Sequence, residues 1–585
     1  MKTSTKRLLS FLLMLLCVMP MLSACFLKKE AADTSEEPSE EETSAETVEE
    51  ERGLKKIYLV KSGTASEQVG RIVRGAYELI TEKTEIEAEI VSDVLQPYEA
   101  KKNHYYVIFG DTSYEQSKAL SASAEANKIY YTTAEDSVAI YAATDQLLTV
   151  GAEKLFADCV QDGVFAVGDE YASLTVDASK FVKDAWKLNC PAFMRGTLDK
   201  EVYNVGVGME RNQDASYMHI SRGVVPALFQ DYLKQLEELG YRKDFENEID
   251  GNLYASYIGA LGSNIYVYYT KAKYEIRIIE DKVSTPLSEF NYRMDASKDT
   301  RLYAFKMGYK SEDCFLIHLA DNSWILIDGG NTGLTPNSSY VKDLYTFMAE
   351  RSNLGEGEKL QIACWYLTHA HGDHFFGAYG LFNEYGDKIE IHRVIDNTAA
   401  DGYFTLEYRK EYEELLEKIK KDNPDVMYLK IHTGMIVELA DTVIETIFTH
   451  EDYVLSYING GTTNPNRGST VAVFNIAGLT FLETADNFVY ESYQNFSIET
   501  LTTDVLKIAH HYYDKTMDKL YSKLYQTGKV AYCFNPRLDT TANAANNYQA
   551  PTMELFGDRY LQGSATKIYE FYRDGSKVQM NILYD

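Results

Sequence analysis

Cysteine is scarce in this chain and scattered. The seven cysteines stand at positions 17, 25, 159, 190, 314, 364 and 533, with no C-x-x-C pair among them. A disulfide framework is therefore set aside in favour of small buried hydrophobes. Positive charge is also short: 58 Lys and Arg face 88 Asp and Glu, for a net charge of -30. A general nucleic-acid binder needs cations facing phosphates, so that class is excluded. A small phosphoester stays open as a substrate, because a bound metal supplies local positive charge. Past the N-terminus, no segment approaches the roughly 20 apolar residues that a membrane span needs. Length is what the chain has in abundance: 585 residues correspond to roughly three or four domains.

The N-terminus reads as an address. Lys2, Lys6 and Arg7 form a basic region, Leu8 to Leu22 a short apolar one, and Leu22-Ser23-Ala24-Cys25 follows. The apolar run is short for a span and carries signal-peptide flanks. Its last four residues look like a bacterial lipobox, which implies a signal peptide over 1–24, cleavage before Cys25 and a diacylglycerol on the Cys25 sulfur. The expected location is the extracellular face of the bacterial cytoplasmic membrane, with the protein anchored there and not spanning. Residues 25–53 form the lipidated cysteine and an acidic linker; from Glu30 to Arg52 the chain is nearly all Glu, Ser, Thr and Ala. Such a stretch buries too little apolar surface to offset chain entropy and is expected to be a disordered spacer. Fully extended, it reaches on the order of 80 Å.

Residues 54–180 alternate strand-like and helix-like runs. Lys56 to Val60 and Tyr105 to Thr112 read as strands; Gln68 to Glu82 and Gln146 to Phe156 read as helices. This is an α/β layer pattern. Its "YVIFGDT" run is similar to the small α/β domain that precedes the barrel in some glycoside hydrolases. Residues 185–299 read as a small α+β domain, with a helix over Val225–Leu239 stopped by Gly240 and Tyr-, Ile- and Val-rich strands over Leu253–Ile258 and Asn264–Glu280. His219 is isolated there and reads as packed or surface histidine. The 54–180 region shows no paired carboxylates or metal cluster, so a structural or recognition role is expected of it. The 46 tyrosines read mainly as half-buried strand residues, with glycan stacking by exposed ones as a secondary possibility.

The densest chemistry lies in Thr368-His369-Ala370-His371-Gly372-Asp373-His374, directly after an apolar run. Imidazole and carboxylate together suit zinc, iron or manganese. Phe315–Leu319 and Trp324–Gly330 read as a hairpin, Ile362–Leu367 as a buried strand, and Phe375–Phe382 as the following helix. Thr470–Ile476 and Leu479–Glu483 form a second hairpin ending in Thr484-Ala485-Asp486, and Val505–Ala509 is a strand ending in His510-His511. Each of the ligand candidates at 369–374, 486 and 510–511 thus sits past the C-terminal end of a strand, where distant residues can meet on a rigid frame.

In order, "ILIDGG", "THAHGDH", "ETAD" and "LKIAHH" resemble the metallo-β-lactamase superfamily. The branches most similar hold the hydrolase domain of competence-type DNA-uptake proteins and the teichoic-acid phosphorylcholine esterases. The resemblance implies a multidomain α/β protein whose residues 300–585 form an αββα sandwich with one or two divalent metals, zinc first and manganese or iron as alternatives. It implies His369 and His371 at the first metal, Asp373, His374 and His510 at the second, Asp486 bridging, and Asp328 orienting ligands from behind. His510 is preferred to His511 on order alone. The superfamily usually supplies another histidine before the "GST" strand; here Asn464-Pro465-Asn466-Arg467-Gly468 has none, and His450 either substitutes or is a loop histidine. Tyr512 and Tyr513 line the cleft or pack, Arg467 and Lys507 read as surface or packing residues with contact to an anionic substrate as the alternative, and His104, His318, His392 and His432 read as structural. Metal-bound hydroxide, made available near neutral pH, is the expected nucleophile, with Asp373 holding or deprotonating the water. The expected function is a surface-anchored phosphodiesterase-type hydrolase acting on an extracellular or cell-wall phosphoester. A non-catalytic glycan- or wall-binding lipoprotein with a relic metal site is the alternative, and a wall-side assembly component a third reading.

Overall fold

The alternation in Lys56–Lys61 sends Ile57 and Leu59 to one face and Tyr58 and Val60 to the other, and both pairs are buried. In this computed structural model the described residues are 53–584, apart from 181, 183–185, 195–196, 206–214, 282–283, 308–311, 333–337, 399–407, 453–463, 514, 538–549 and 563–566. The expected signal peptide, Cys25 and the acidic linker to residue 52 lie outside them. Among the described residues, no helix is long and apolar enough to cross a membrane.

Lys56–Lys61 pairs in parallel with Glu87–Ser92 and with His104–Phe109, which continues in parallel to Ser137–Ala142; Lys128–Ala134 and Thr175–Asp177 extend this sheet antiparallel. Helices Glu67–Lys83 and Asp145–Cys159 cover the Ile57 face. Ser66 and Thr144 cap them by accepting from the backbone N–H three residues on.

A second, antiparallel sheet of six strands runs from Thr197 to Asp281, and helix Pro226–Glu238 packs into its core. This sheet has two buried faces. Tyr257, Val267 and Ile278 join the core of the first sheet, while Tyr254, Tyr266 and Ile279 join the core of the C-terminal region. That is why Glu275–Asp281 is buried along its whole length and its charged side chains are paired inside.

The C-terminal region is a sandwich. One sheet runs Met427–Lys430, Arg393–Asp396, Leu360–Tyr366, Trp324–Asp328, Cys314–His318, Arg301–Lys306, Lys567–Asp574, Lys577–Tyr584. The other contains Thr442–Phe448, Val471–Ile476, Leu479–Glu483, Val505–Lys507 and Tyr532–Asn535 as its central strands. Phe315 of the first meets Phe481 of the second with ring centroids 4.9 Å apart. Helices Ser339–Arg351, Gly372–Tyr385 and Arg409–Asp422 pack outside the first sheet, and Asp518–Gln526 packs against the second. The result is the expected α/β/β/α layering.

Candidate metal centre

Five segments deliver side chains to one rim of the sandwich. The strand Leu360–Tyr366 ends just before Thr368, and His371 stands at the N-cap of helix Gly372–Tyr385, which places Asp373 and His374 in its first turn. Asp328 closes the strand Trp324–Asp328, Asp486 follows Leu479–Glu483, and His510 and His511 follow Val505–Lys507. Asp313 arrives from the opposite direction. Its strand, Cys314–His318, runs antiparallel with Cys314 opposite Asp328, so Asp313 lies beside the C-terminal end of its neighbour. The backbone is left-handed at Asp328 (φ 57°), Ala485 (46°), His510 (48°) and His511 (48°), none of them glycine. Residues held in this region cost on the order of 1–3 kcal/mol each and persist where surrounding structure over-determines them, often at functional sites.

Two groups of ligand atoms converge, each with its atoms within 4.8 Å of one another: Asp313, His374, Asp486 and His511, all buried, and His369, His371 and Asp486. Asp486 is common to both. His374 Nε2 lies 3.2 Å from Asp313 Oδ2 and 3.3 Å from Asp486 Oδ1. Its other nitrogen, Nδ1, meets Asp328 Oδ2 at 2.5 Å. Because a carboxylate only accepts, Nδ1 carries the proton and Nε2 is aimed at the two acids. Asp328 is fixed in turn by the Thr368 backbone N–H and hydroxyl, both donating to it.

The charges explain why these groups tolerate burial. Burial alone would strip the proton from His374, but Asp328, Asp486 and Asp313 outweigh it and hold the imidazole well above its ordinary range. Burial opposes the Asp486 charge too, and His374, His511 and Lys507 together keep its carboxyl well below the usual range. Glu483, buried beneath, is pushed up to about 8 by burial, with Lys507 pulling against it. Carboxylates sharing a buried pocket need positive charge beside them to offset the loss of water. His374 Nε2, Asp313 Oδ1 and Asp486 Oδ1 are buried without hydrogen-bond partners. Two imidazole nitrogens with one or two carboxylate oxygens in each group suit a divalent metal, so the residues fit the ion that the motif implies.

Other sequence-selected residues fall around these groups. Asp373 Oδ2 lies 3.0 Å from His511 Nε2, and 23% of its side chain is exposed. Burial disfavours its charge, but the hydrogen bond to His511 and that residue's charge keep its carboxyl well below the ordinary range. The structure places His511, and not His510, in the first group. His510 is stacked on Phe488 at 4.9 Å, with Nε2 2.9 Å from Asn466 Nδ2. His450 lies outside both groups; its Nε2 is 2.9 Å from Asn397 Oδ1, and burial pushes it down to about 4. Lys507 is no surface residue: its ammonium is buried 2.8 Å from Asp313 Oδ2 and 3.7 Å from Asp486 Oδ1. Arg467 lies over the Phe488 ring at 5.0 Å. Tyr512 is buried, donating to Asp518, whereas Tyr513 is 44% exposed at the rim with Arg537 over its ring. Asp313 went unselected in the sequence, although the register of the hairpin it opens carries the signal.

Residues 308–463 match the family described as the metallo-beta-lactamase superfamily. That stretch of the chain carries a domain of that superfamily. No curated protein matches the chain in sequence. Among solved structures it is similar to a possible metal-dependent hydrolase from Veillonella parvula (9% identity, TM-score 0.30, 46% of this chain and 98% of that one). It is also similar to a β-lactamase domain protein from Burkholderia ambifaria (14% identity, TM-score 0.21, 41% and 66%). A flavo-diiron protein variant from Thermotoga maritima matches at 13% identity with a TM-score of 0.18, over 38% and 47% of the two chains.

Proposed function

We infer that this protein is a surface-anchored phosphodiesterase-type metallohydrolase acting on an extracellular or cell-wall phosphoester. The observation that carries the reading is the pair of ligand groups joined at Asp486, a layout suited to two neighbouring divalent ions, with zinc the first choice. Such ions, when bound, would supply a hydroxide near neutral pH and offset negative charge on the phosphoryl oxygens. The protein's own contributions are positional. Asp328 fixes the tautomer of His374, and Thr368 fixes Asp328. The ionised, partly exposed Asp373 is placed to accept a proton from water entering the cleft. Arg537, lying over Tyr513 at 4.2 Å, brings a cation to the same rim for an anionic substrate.

The choice of phosphoester over acyl substrates rests on the motif resemblance, and the anchor rests on the Leu22-Ser23-Ala24-Cys25 motif. A substrate panel tests the first: bis-p-nitrophenyl phosphate is expected to be cleaved faster than a phosphomonoester, a thioester or a β-lactam, and the reverse order sinks the assignment. Intact-mass analysis of the mature protein tests the second. A diacylglyceryl Cys25 is expected at its N-terminus, and a mature protein that keeps the apolar segment or begins elsewhere contradicts the anchor.

A further inference from the structure

We propose that Asn466 is a metal-site residue: its side-chain oxygen completes the His369–His371–Asp486 group as a neutral donor to a divalent cation, while its amide nitrogen holds His510 at the edge of that group. The proposal rests on the metallohydrolase reading and deepens it.

The geometry is specific. Asn466 is 5% exposed, and its amide is interposed between two imidazoles: Oδ1 is 3.1 Å from His369 Nε2, and Nδ2 is 2.9 Å from His510 Nε2. The amide nitrogen can only donate, so His510 Nε2 accepts, and Oδ1 faces His369. The same His369 nitrogen is 3.8 Å from Asp486 Oδ2, so it has a side-chain oxygen from each of two other segments within 3.8 Å. The turn that carries Asn466 is rigid. Asn464 Oδ1 accepts from the Asn466 N–H at 3.0 Å, and the Ser469 hydroxyl donates to the Asn466 carbonyl at 2.8 Å. The adjoining Thr470 N–H donates to the Thr368 carbonyl, which ties this turn to the loop carrying His369.

The contact between Asn466 and His369 is also informative chemically. It is a hydrogen bond only while His369 Nε2 keeps a proton. Once that nitrogen is deprotonated to act as a ligand, two lone-pair donors face each other at 3.1 Å, an arrangement that a cation between them makes favourable. A set of two imidazoles with amide and carboxylate oxygens is harder than a three-histidine set. It should therefore hold manganese or iron more nearly on par with zinc.

The test uses the purified full chain as wild type, Asn466→Ala, Asn466→His and Asn466→Asp. Each is titrated with zinc and, separately, manganese; bound metal per chain is counted by mass spectrometry, and folding is checked by circular dichroism. Wild type is expected to bind two ions, and Asn466→Ala to lose one or bind it at least tenfold more weakly, leaving the ion of the Asp313 group. Asn466→His should move preference toward zinc at the weakened position. If Asn466→Ala fails to fold, Asn466→Asp, which keeps an oxygen at the same place and adds charge, is expected to bind that ion more tightly. Two ions held by a folded Asn466→Ala with unchanged affinity, or unchanged affinity in Asn466→Asp, overturn the proposal while leaving the metallohydrolase reading intact. A wild type that binds neither metal overturns both.

Discussion

At the scale of single residues, His374 shows how the centre is assembled. It is aimed by one carboxylate, Asp328, at two others, Asp313 and Asp486, and all four side chains are buried. Outer partners of metal-binding histidines typically matter 10- to 100-fold in affinity. Asp328→Asn should therefore weaken the ion of the Asp313 group by about that factor in a chelator competition, with the fold retained; unchanged affinity argues that the contact does not orient His374. The two adjacent histidines separate the same way. His511→Ala is expected to remove one ion from the Asp313 group, whereas His510→Ala retains it, and equal losses contradict the placement of His511 inside and His510 outside. The cluster at 369–374 was legible in the sequence because its donors are nearly consecutive. The choice between His510 and His511 was not, because both have left-handed backbone and only that local twist decides which ring turns inward. Asp313 was missed for a related reason: it precedes its strand, and only pairing with Trp324–Asp328 brings it to the rim.

At the scale of elements, the helix Gly372–Tyr385 is clamped onto the end of strand Trp324–Asp328. A Cβ on Gly377 would stand 1.7 Å from the Gly329 carbonyl oxygen, and one on Gly329 would stand 2.5 Å from the Ala378 nitrogen. The helix that delivers Asp373 and His374 can approach the Asp328 loop only through this glycine contact. Gly377→Ala must push the two backbones apart, at a cost of about 1–3 kcal/mol. Its melting temperature should fall, and metal retention should fall with it, because the displaced helix start carries two site residues. A variant with native melting and native metal content contradicts the clamp. The sequence announced the turn through Asp328-Gly329-Gly330, but not the role of Gly377, which reads as an ordinary helix position until its neighbour is known. Strand and helix identities here followed from periodicity. The double-faced burial of Glu275–Asp281 did not, because alternation says which side chains share a face but not what covers each face.

At the scale of the whole molecule, a buried charge cluster joins the middle sheet to the sandwich. His432 Nε2 meets Asp281 Oδ2 at 2.6 Å and His432 Nδ1 meets Glu451 Oε1 at 2.8 Å, with Lys430 3.8 Å from Asp281 and the Tyr266 ring stacked at 4.6 Å. Burial works against the imidazolium, but Glu451 and Asp281 prevail and raise it to about 9, while Glu451 is held down to about 2 despite burial, chiefly by His432. A raised histidine stabilises the fold fully below its unfolded value near 6.5 and loses that contribution as pH climbs toward 9. A depressed carboxylate does so above about 4.5 and loses it as pH falls toward 2. The contribution of this cluster should thus be greatest between about pH 4.5 and 6.5, and its alkaline limb is worth on the order of 3 kcal/mol. Thermal melts across pH are expected to show that limb, and His432→Asn to flatten it; a limb of undiminished slope in the variant contradicts the assignment. His432 had read as a structural histidine, but its partners Asp281 and Glu451 lie 151 and 19 residues away, separations that no local pattern reveals.

The most direct test of the account as a whole is metal content measured beside cleavage of bis-p-nitrophenyl phosphate, in wild type and in Asp486→Ala. Asp486 is the one residue common to both ligand groups. About two ions per chain with cleavage in wild type, and loss of metal together with a fall in rate of at least a hundredfold in a folded Asp486→Ala, is the outcome expected of a binuclear phosphodiesterase. A wild type that binds no zinc, manganese or iron, or a variant that cleaves as fast as wild type, contradicts it.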